Sequence, residues 1–134
     1  METFTAGKLA KKAGVNIETL RFYERRGLMP EPVRRESGYR QYSQKDVARL
    51  QFIKRAKELG FSLKEIGELL SLRVDPETTC RQVKEQVEIK IADIEIKIKT
   101  LQGMKKALLQ LEATCSGQGP TSDCPILEFL DQAS

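Results

Sequence analysis

Histidine is absent from all 134 residues, which removes the commonest general base and the usual imidazole ligand for zinc. No phosphate-cradling glycine loop and no nucleophile elbow appear either, so an enzyme is not expected. Cysteine is scarce, and its three copies are an odd number, which argues against a closed disulfide framework and leaves a Cys115–Cys124 disulfide as the bland alternative. The opening residues, from Met1 through Lys12, lack the apolar core of a signal peptide, and no run of about 18 apolar residues could span a bilayer. The expectation is a cytoplasmic protein with no membrane partner. In that reducing setting free thiols bind metal or act in redox chemistry. Internal repeats and low-complexity tracts are missing as well.

What is present is uneven. Residues 1–60 hold 14 Lys or Arg against 7 Asp or Glu, whereas residues 61–134 hold 9 against 12. A basic first half joined to a slightly acidic second half predicts a polyanion-binding head on an arm.

The first 27 residues read as two short helices about a tight turn. Thr5 caps Ala6–Ala13, Gly14 and Val15 turn the chain, and Asn16 caps Ile17–Arg26, which Gly27 ends. A helix pair of this spacing matches a helix-turn-helix, whose second helix enters the major groove of double-stranded DNA. Ile17, Leu20 and Glu24 fall on one stripe of that helix, and Thr19, Arg21 and Tyr23 are the candidate DNA contacts. A small solvated helix with arginines lying along it fits the same pattern. Pro30 and Pro32 then exclude a helix, and Ser37-Gly38 between Val33-Arg34-Arg35 and Tyr39-Arg40-Gln41-Tyr42 suggests a hairpin wing. Arg34, Arg35, Tyr39 and Arg40 cluster at its tip as phosphate-gripping candidates.

Two scaffold helices follow. Ser43 caps one that runs to about Leu59, with Asp46 at the third position and Val47, Leu50, Ile53 and Ala56 inward. Ser62 caps the next, with Glu65 at the third position, and Leu63, Ile66, Leu69 and Leu70 inward. Arg73 to Glu77 is a hinge, with Pro76 stopping any continuation.

From Thr78 to Thr114 no proline interrupts a helical pattern. Val83, Val87, Ile91, Ile94, Ile98 and Leu101 recur at three and four residues, the spacing slips at Gly103–Lys105, and Met104, Leu108 and Leu111 resume it. Such a helix is roughly 55 Å long, more than a domain of this size needs, so it should project and pair. Cys80 and Cys115, 35 residues apart, lie about 52 Å apart on it and cannot share a ligand within one chain. An antiparallel partner reverses the ends, bringing Cys80 of one protomer near Cys115 and Cys124 of the other, twice by symmetry. Residues 116–123 are a loop by composition, and Cys124-Pro125 opens a last short helix with Ile126, Leu127, Phe129 and Leu130. The domains expected are therefore 1–72 (winged helix-turn-helix head), 73–77 (hinge), 78–114 (dimerisation helix) and 115–134 (metal-binding loop and C-terminal helix), in a mainly α homodimer.

Phe4-Thr5, Gly14-Val15, Leu20-Arg21-Phe22-Tyr23-Glu24, Gly27-Leu28, Gly38-Tyr39-Arg40 and Leu59-Gly60-Phe61-Ser62 together resemble the MerR family of winged helix-turn-helix transcription regulators, over essentially the whole chain. Cys at the start of the long helix, Cys at its end and Cys-Pro nine residues later resemble the mercury-responsive branch. Relatives that sense monovalent copper, silver or gold carry a non-thiol residue where Cys80 stands. The resemblance implies a homodimer that sits on a dyad-symmetric promoter operator together with RNA polymerase, represses without metal, and underwinds DNA when loaded. Three thiolates without histidine form a soft donor set, suited to mercury(II) and also to lead(II) or cadmium(II); zinc, which normally takes four ligands, fits less well. A thiol redox sensor is the alternative use of the same cysteines.

Overall fold

The computed structural model describes residues 3–30, 33–34 and 40–132. Six α-helices and one two-stranded ribbon appear among them, in the order α1 (Ala6–Ala13), α2 (Ile17–Arg25), β1 (Val33–Arg34), β2 (Arg40–Gln41), α3 (Gln44–Glu58), α4 (Leu63–Val74), α5 (Cys80–Ala113) and α6 (Pro125–Asp131).

The helix starts follow from short polar side chains that satisfy backbone donors left free at the first turn. Thr5 accepts from the Lys8 N–H at 3.3 Å and Asn16 from the Thr19 N–H at 2.8 Å. Ahead of α4 the exchange is reciprocal: the Glu65 N–H donates to Ser62 Oγ at 3.2 Å, and the Ser62 N–H donates to Glu65 Oε1 at 2.7 Å. The Ser43 N–H likewise donates to Asp46 Oδ2 at 2.8 Å before α3. Between α1 and α2 the backbone turns through Gly14 at φ +76°, where a side chain would be strained and its Cβ would stand 2.6 Å from Lys54 Nζ.

By its contacts the chain divides into two compact units, Met1–Val87 and Glu88–Ser134. The division falls inside α5, about two turns beyond Cys80; the residues expected as a hinge, 73–77, lie within the first unit. In the first unit α1 packs on α2 and α3, and α3 on α4. Leu9, Leu20, Leu50, Ile53 and Ile66 are fully enclosed at the centre, with Val47, Ala56, Phe61 and Leu70 around them. The ribbon is antiparallel, Val33 opposite Gln41 and Arg34 opposite Arg40. An isolated bridge ties Phe4 to Tyr42: the Phe4 N–H donates to the Tyr42 carbonyl at 2.7 Å, and the Tyr42 N–H donates back to the Phe4 carbonyl at 2.9 Å. Tyr42 itself is buried and its hydroxyl donates to Glu24 Oε2 at 2.8 Å, which links the strand to α2.

The α4 helix runs through Val74, two residues past Leu72, and ends before Pro76. Asp75 then organises the break, its Oδ1 accepting from the Glu77 N–H at 2.9 Å and its carbonyl from the Thr78 N–H at 3.1 Å.

Burial pushes the Tyr23 phenol above the ordinary tyrosine range. Below about pH 10 the phenol is protonated in folded and unfolded chains alike. As pH rises through that range the unfolded chain sheds a proton that the folded chain keeps, so stability falls. Tyr23→Phe is expected to remove that part of the alkaline loss, read as the difference in urea midpoint between pH 8 and pH 10.5. Leu50→Ala, which empties a fully enclosed position, should cost about 2–5 kcal/mol in the same assay.

Candidate DNA-reading helix and cysteine set

Two groups of side chains stand apart from the core. The first lies on α2. Its buried residues are Leu20 and Tyr23, an i, i+3 pair that continues into buried Leu28 and Met29. Ile17 is 38% exposed and Glu24 half-buried, so the inward stripe is not the Ile17–Leu20–Glu24 line that spacing suggested. Tyr23, expected to present its polar end, is 7% exposed. Its ring belongs to the core, and its carbonyl receives the N–H groups of Leu28 at 2.9 Å and Met29 at 3.3 Å. Tyr23 thus closes the end of α2, and any contact it makes outside is limited to the remaining edge. Thr19 is half-buried with its N–H held by Asn16, while Arg21 is exposed. Glu18, Phe22 and Arg25 share that exposed side with Arg21. The 18, 21, 22, 25 spacing carried the signal, once the inward stripe is fixed on Leu20 and Tyr23.

Phe22, at 40% exposure, lies 5.8 Å from the Tyr23 ring and holds the Arg26 guanidinium at 5.8 Å over its face. Arg34 and Arg40 occupy paired positions of the ribbon. Arg35 and Tyr39, the other two wing candidates, lie outside the described residues.

The second group is the cysteines, all free thiols. Cys80 is the first residue of α5 and exposed. The turn before it is set by Gln82, whose Oε1 accepts from the Thr79 N–H at 2.8 Å. Arg81 is directed at Glu85, 3.5 Å away on the same helix. Cys115 follows the end of α5, half-buried, and the Gly117 N–H donates to its Sγ at 3.4 Å, the kind of donor a thiolate ligand accepts. Cys124, also half-buried, is the residue before α6, with Pro125 filling the first helical position. Among the described residues no three of Cys, Asp and Glu come together in one chain to hold a metal ion.

Between the cysteines, α5 leaves its apolar residues uncovered: Val83, Val87, Ile91, Ile94, Ile98, Leu101 and Leu108 are all exposed, Leu101 at 61% and Leu108 at 63%. Asp93 lies 3.1 Å from Lys97 Nζ and 3.6 Å from Lys90 Nζ. The hydrogen bond from Lys97, with the nearby charges of Lys97 and Lys90, holds its carboxyl below the usual range.

A family model described as "MerR HTH family regulatory protein" matches residues 4–72, and a second, described as "MerR, DNA binding", matches residues 47–111. The chain belongs to the MerR family of helix-turn-helix regulatory proteins. A mercuric resistance operon regulatory protein of Bacillus cereus is 48% identical over 127 residues, covering 95% of this chain and 96% of the relative. Among solved structures, the transcription regulator PbrR691 from Ralstonia metallidurans CH34 in complex with lead(II) superposes with a TM-score of 0.83 at 38% identity, covering 95% of this chain and 98% of that one. The regulator MerR of Bacillus megaterium MB1 in complex with mercury(II) gives 0.73 at 42% identity, covering 96% and 100%.

Membership makes this MerR-family chain a DNA-binding transcription regulator that works as a homodimer, and not an enzyme. No helix among the described residues is long and apolar enough to cross a membrane.

The exposed position of Arg21 generates a test on the DNA side. Arg21→Ala is expected to weaken binding to duplexes of any sequence, and to lower the slope of log K against log salt by about one per chain. Fluorescence anisotropy of a labelled duplex across a salt series reads both.

Proposed function

We propose that this regulator responds to mercury(II), held by Cys80 of one protomer together with the partner's Cys115 and the partner's Cys124. The observation that carries the reading is the placement of three free thiols at the two ends of a helix whose apolar side is uncovered. Covering that side with an antiparallel second copy sets the start of one α5 beside the end of the other. The donor chemistry agrees. Three sulfurs and no histidine suit a soft ion at low coordination number, and the Gly117 N–H already points at one of them. Two of the relatives, a mercuric resistance regulator and a structure with mercury(II) bound, support this reading.

The chain's own residues do the rest. The exposed face of α2 enters the major groove, with Arg21 and Thr19 near bases or phosphates, and the ribbon arginines Arg34 and Arg40, with Arg35 and Tyr39, hold the flanking backbone. Two such heads define a dyad-symmetric operator. Cys80 of one protomer and the partner's Cys115 and the partner's Cys124 would hold the ion as thiolates and so would link the two chains. Because Cys80 directly follows the Asp75–Thr79 break, ligation there acts on the segment that joins α4 to α5. Coupling requires tighter metal binding to the activating arrangement than to the repressing one. The signal then passes as altered DNA twist rather than new base contacts, at a promoter shared with RNA polymerase.

Lead(II) is the second reading, favoured by the higher TM-score of the lead(II)-bound structure, 0.83 against 0.73. Cadmium(II) shares the same donor preference. Titrating the reduced full-length dimer with each ion against a competing small thiol separates them. Mercury(II) should be retained at the highest thiol concentration, and more tightly as pH rises, because ligation displaces protons from the thiols. Cys80→Ser should lose far more than the roughly ten- to hundredfold that an outer-shell partner is worth. Retention of lead(II) over mercury(II) would reverse the metal assignment, and an unchanged titration in Cys80→Ser would remove Cys80 from the site.

A further inference from the structure

The exposed side of α2 carries one carboxylate among its cations. Glu18, Arg21, Phe22 and Arg25 follow one another at i, i+3, i+4 and i+7, so all four lie on the face turned away from Leu20 and Tyr23. DNA is a polyanion, and a carboxylate on the face that approaches it is repelled by every phosphate. Such a residue opposes affinity unless something in the groove rewards it.

The local structure gives Glu18 no other task. The helix start is already capped by Asn16, whose Oδ1 takes the Thr19 N–H at 2.8 Å. Glu18 is the second residue of the helix, one short of the position from which a Glu closes a capping box. Among the described residues no hydrogen bond or ion pair engages its carboxylate. The residual effect of a negative charge in the first turn is small and vanishes with salt.

The major groove offers what a carboxylate can use. A cytosine presents its exocyclic N4 amine there as a donor, and Glu or Asp accepts from it. Arg21 and Arg25, one and two turns further along the same face, offset the charge of Glu18 against the backbone. Resting on the placement of α2 in the groove, we infer that Glu18 is a base-reading residue. Its carboxylate accepts a hydrogen bond from the N4 amine of one cytosine in each half-site, and it contributes discrimination rather than affinity.

The test is selection from a duplex library with a randomised core, using the full-length metal-free dimer, Glu18→Gln and Arg21→Ala. The unmodified dimer should enrich one C·G pair per half-site at the position Glu18 faces. Glu18→Gln should shift that position alone toward adenine, which an amide reads through N6 and N7. Replacing that C·G pair in the selected duplex should weaken the unmodified dimer by about fivefold or more, and Glu18→Gln by less than twofold. Affinity of Glu18→Gln for a random duplex should rise, since a charge that repels phosphates is gone. A role confined to helix stability would leave the selected sequences unchanged and move only the melting temperature. A pool identical for Glu18→Gln, while Arg21→Ala still weakens duplex binding, overturns the Glu18 assignment alone. Arg21→Ala that leaves both duplex affinity and its salt dependence unchanged overturns the placement of α2 in the groove, and with it this inference.

Discussion

The uncovered apolar side of α5 is the constraint on which the rest depends. A 34-residue helix that leaves Val83, Ile94, Leu101 and Leu108 open to water is stable only when another surface removes them from it, because packing of an apolar face supplies most helical stability. A second copy of the same helix is the surface a homodimer has at hand. On the proposed reading, that single requirement turns two chemically ordinary ends, a thiol on the first residue of the helix and two thiols after its last, into one ligand set. Dimerisation and sensing are, on that same reading, one event.

The head is organised for a different demand. Its core is small, centred on Leu20, Leu50, Ile53 and Ile66, and it is fastened at its edges by polar contacts rather than by more apolar area. Tyr42 joins the ribbon to Glu24 of α2, and the Arg49 Nε–H donates to the Leu28 carbonyl at 2.6 Å beyond the end of that helix. These bonds fix the direction of α2, and so decide which residues it shows to a groove. A base-reading helix needs that rigidity, since a hydrogen bond to a base edge tolerates little displacement.

Much of this was legible in the residues. The caps at Thr5, Asn16, Ser43 and Ser62 fall where short polar side chains precede apolar periodicity, and Val47, Leu50, Ile53 and Ala56 are buried as their spacing requires. Tyr23 was harder to read. A tyrosine has both an apolar ring and a polar tip, and only the neighbours Leu20, Leu28 and Met29 show that the ring prevails here. The same ambiguity hid the Glu18–Arg25 face, because a helix of nine residues holds too few apolar positions to fix its inward side. The end of α4 was misplaced by two residues because Arg73 and Val74 continue the helix until Asp75 leaves it. The cysteine spacing carries a resemblance, but among the described residues the three thiols form no cluster within one chain. Its meaning depends on a second copy, and the sequence supplies that only through the length and apolar side of α5.

The most direct measurement mixes two inactive chains, one carrying Cys80→Ser and the other Cys115→Ser with Cys124→Ser, and follows mercury(II) binding in competition with a small thiol. Assembly of the ligands across two protomers predicts that neither parent retains the ion, while the mixture regains one high-affinity site per heterodimer. Heterodimers that form and still fail to bind would contradict it, as would full binding by either parent alone.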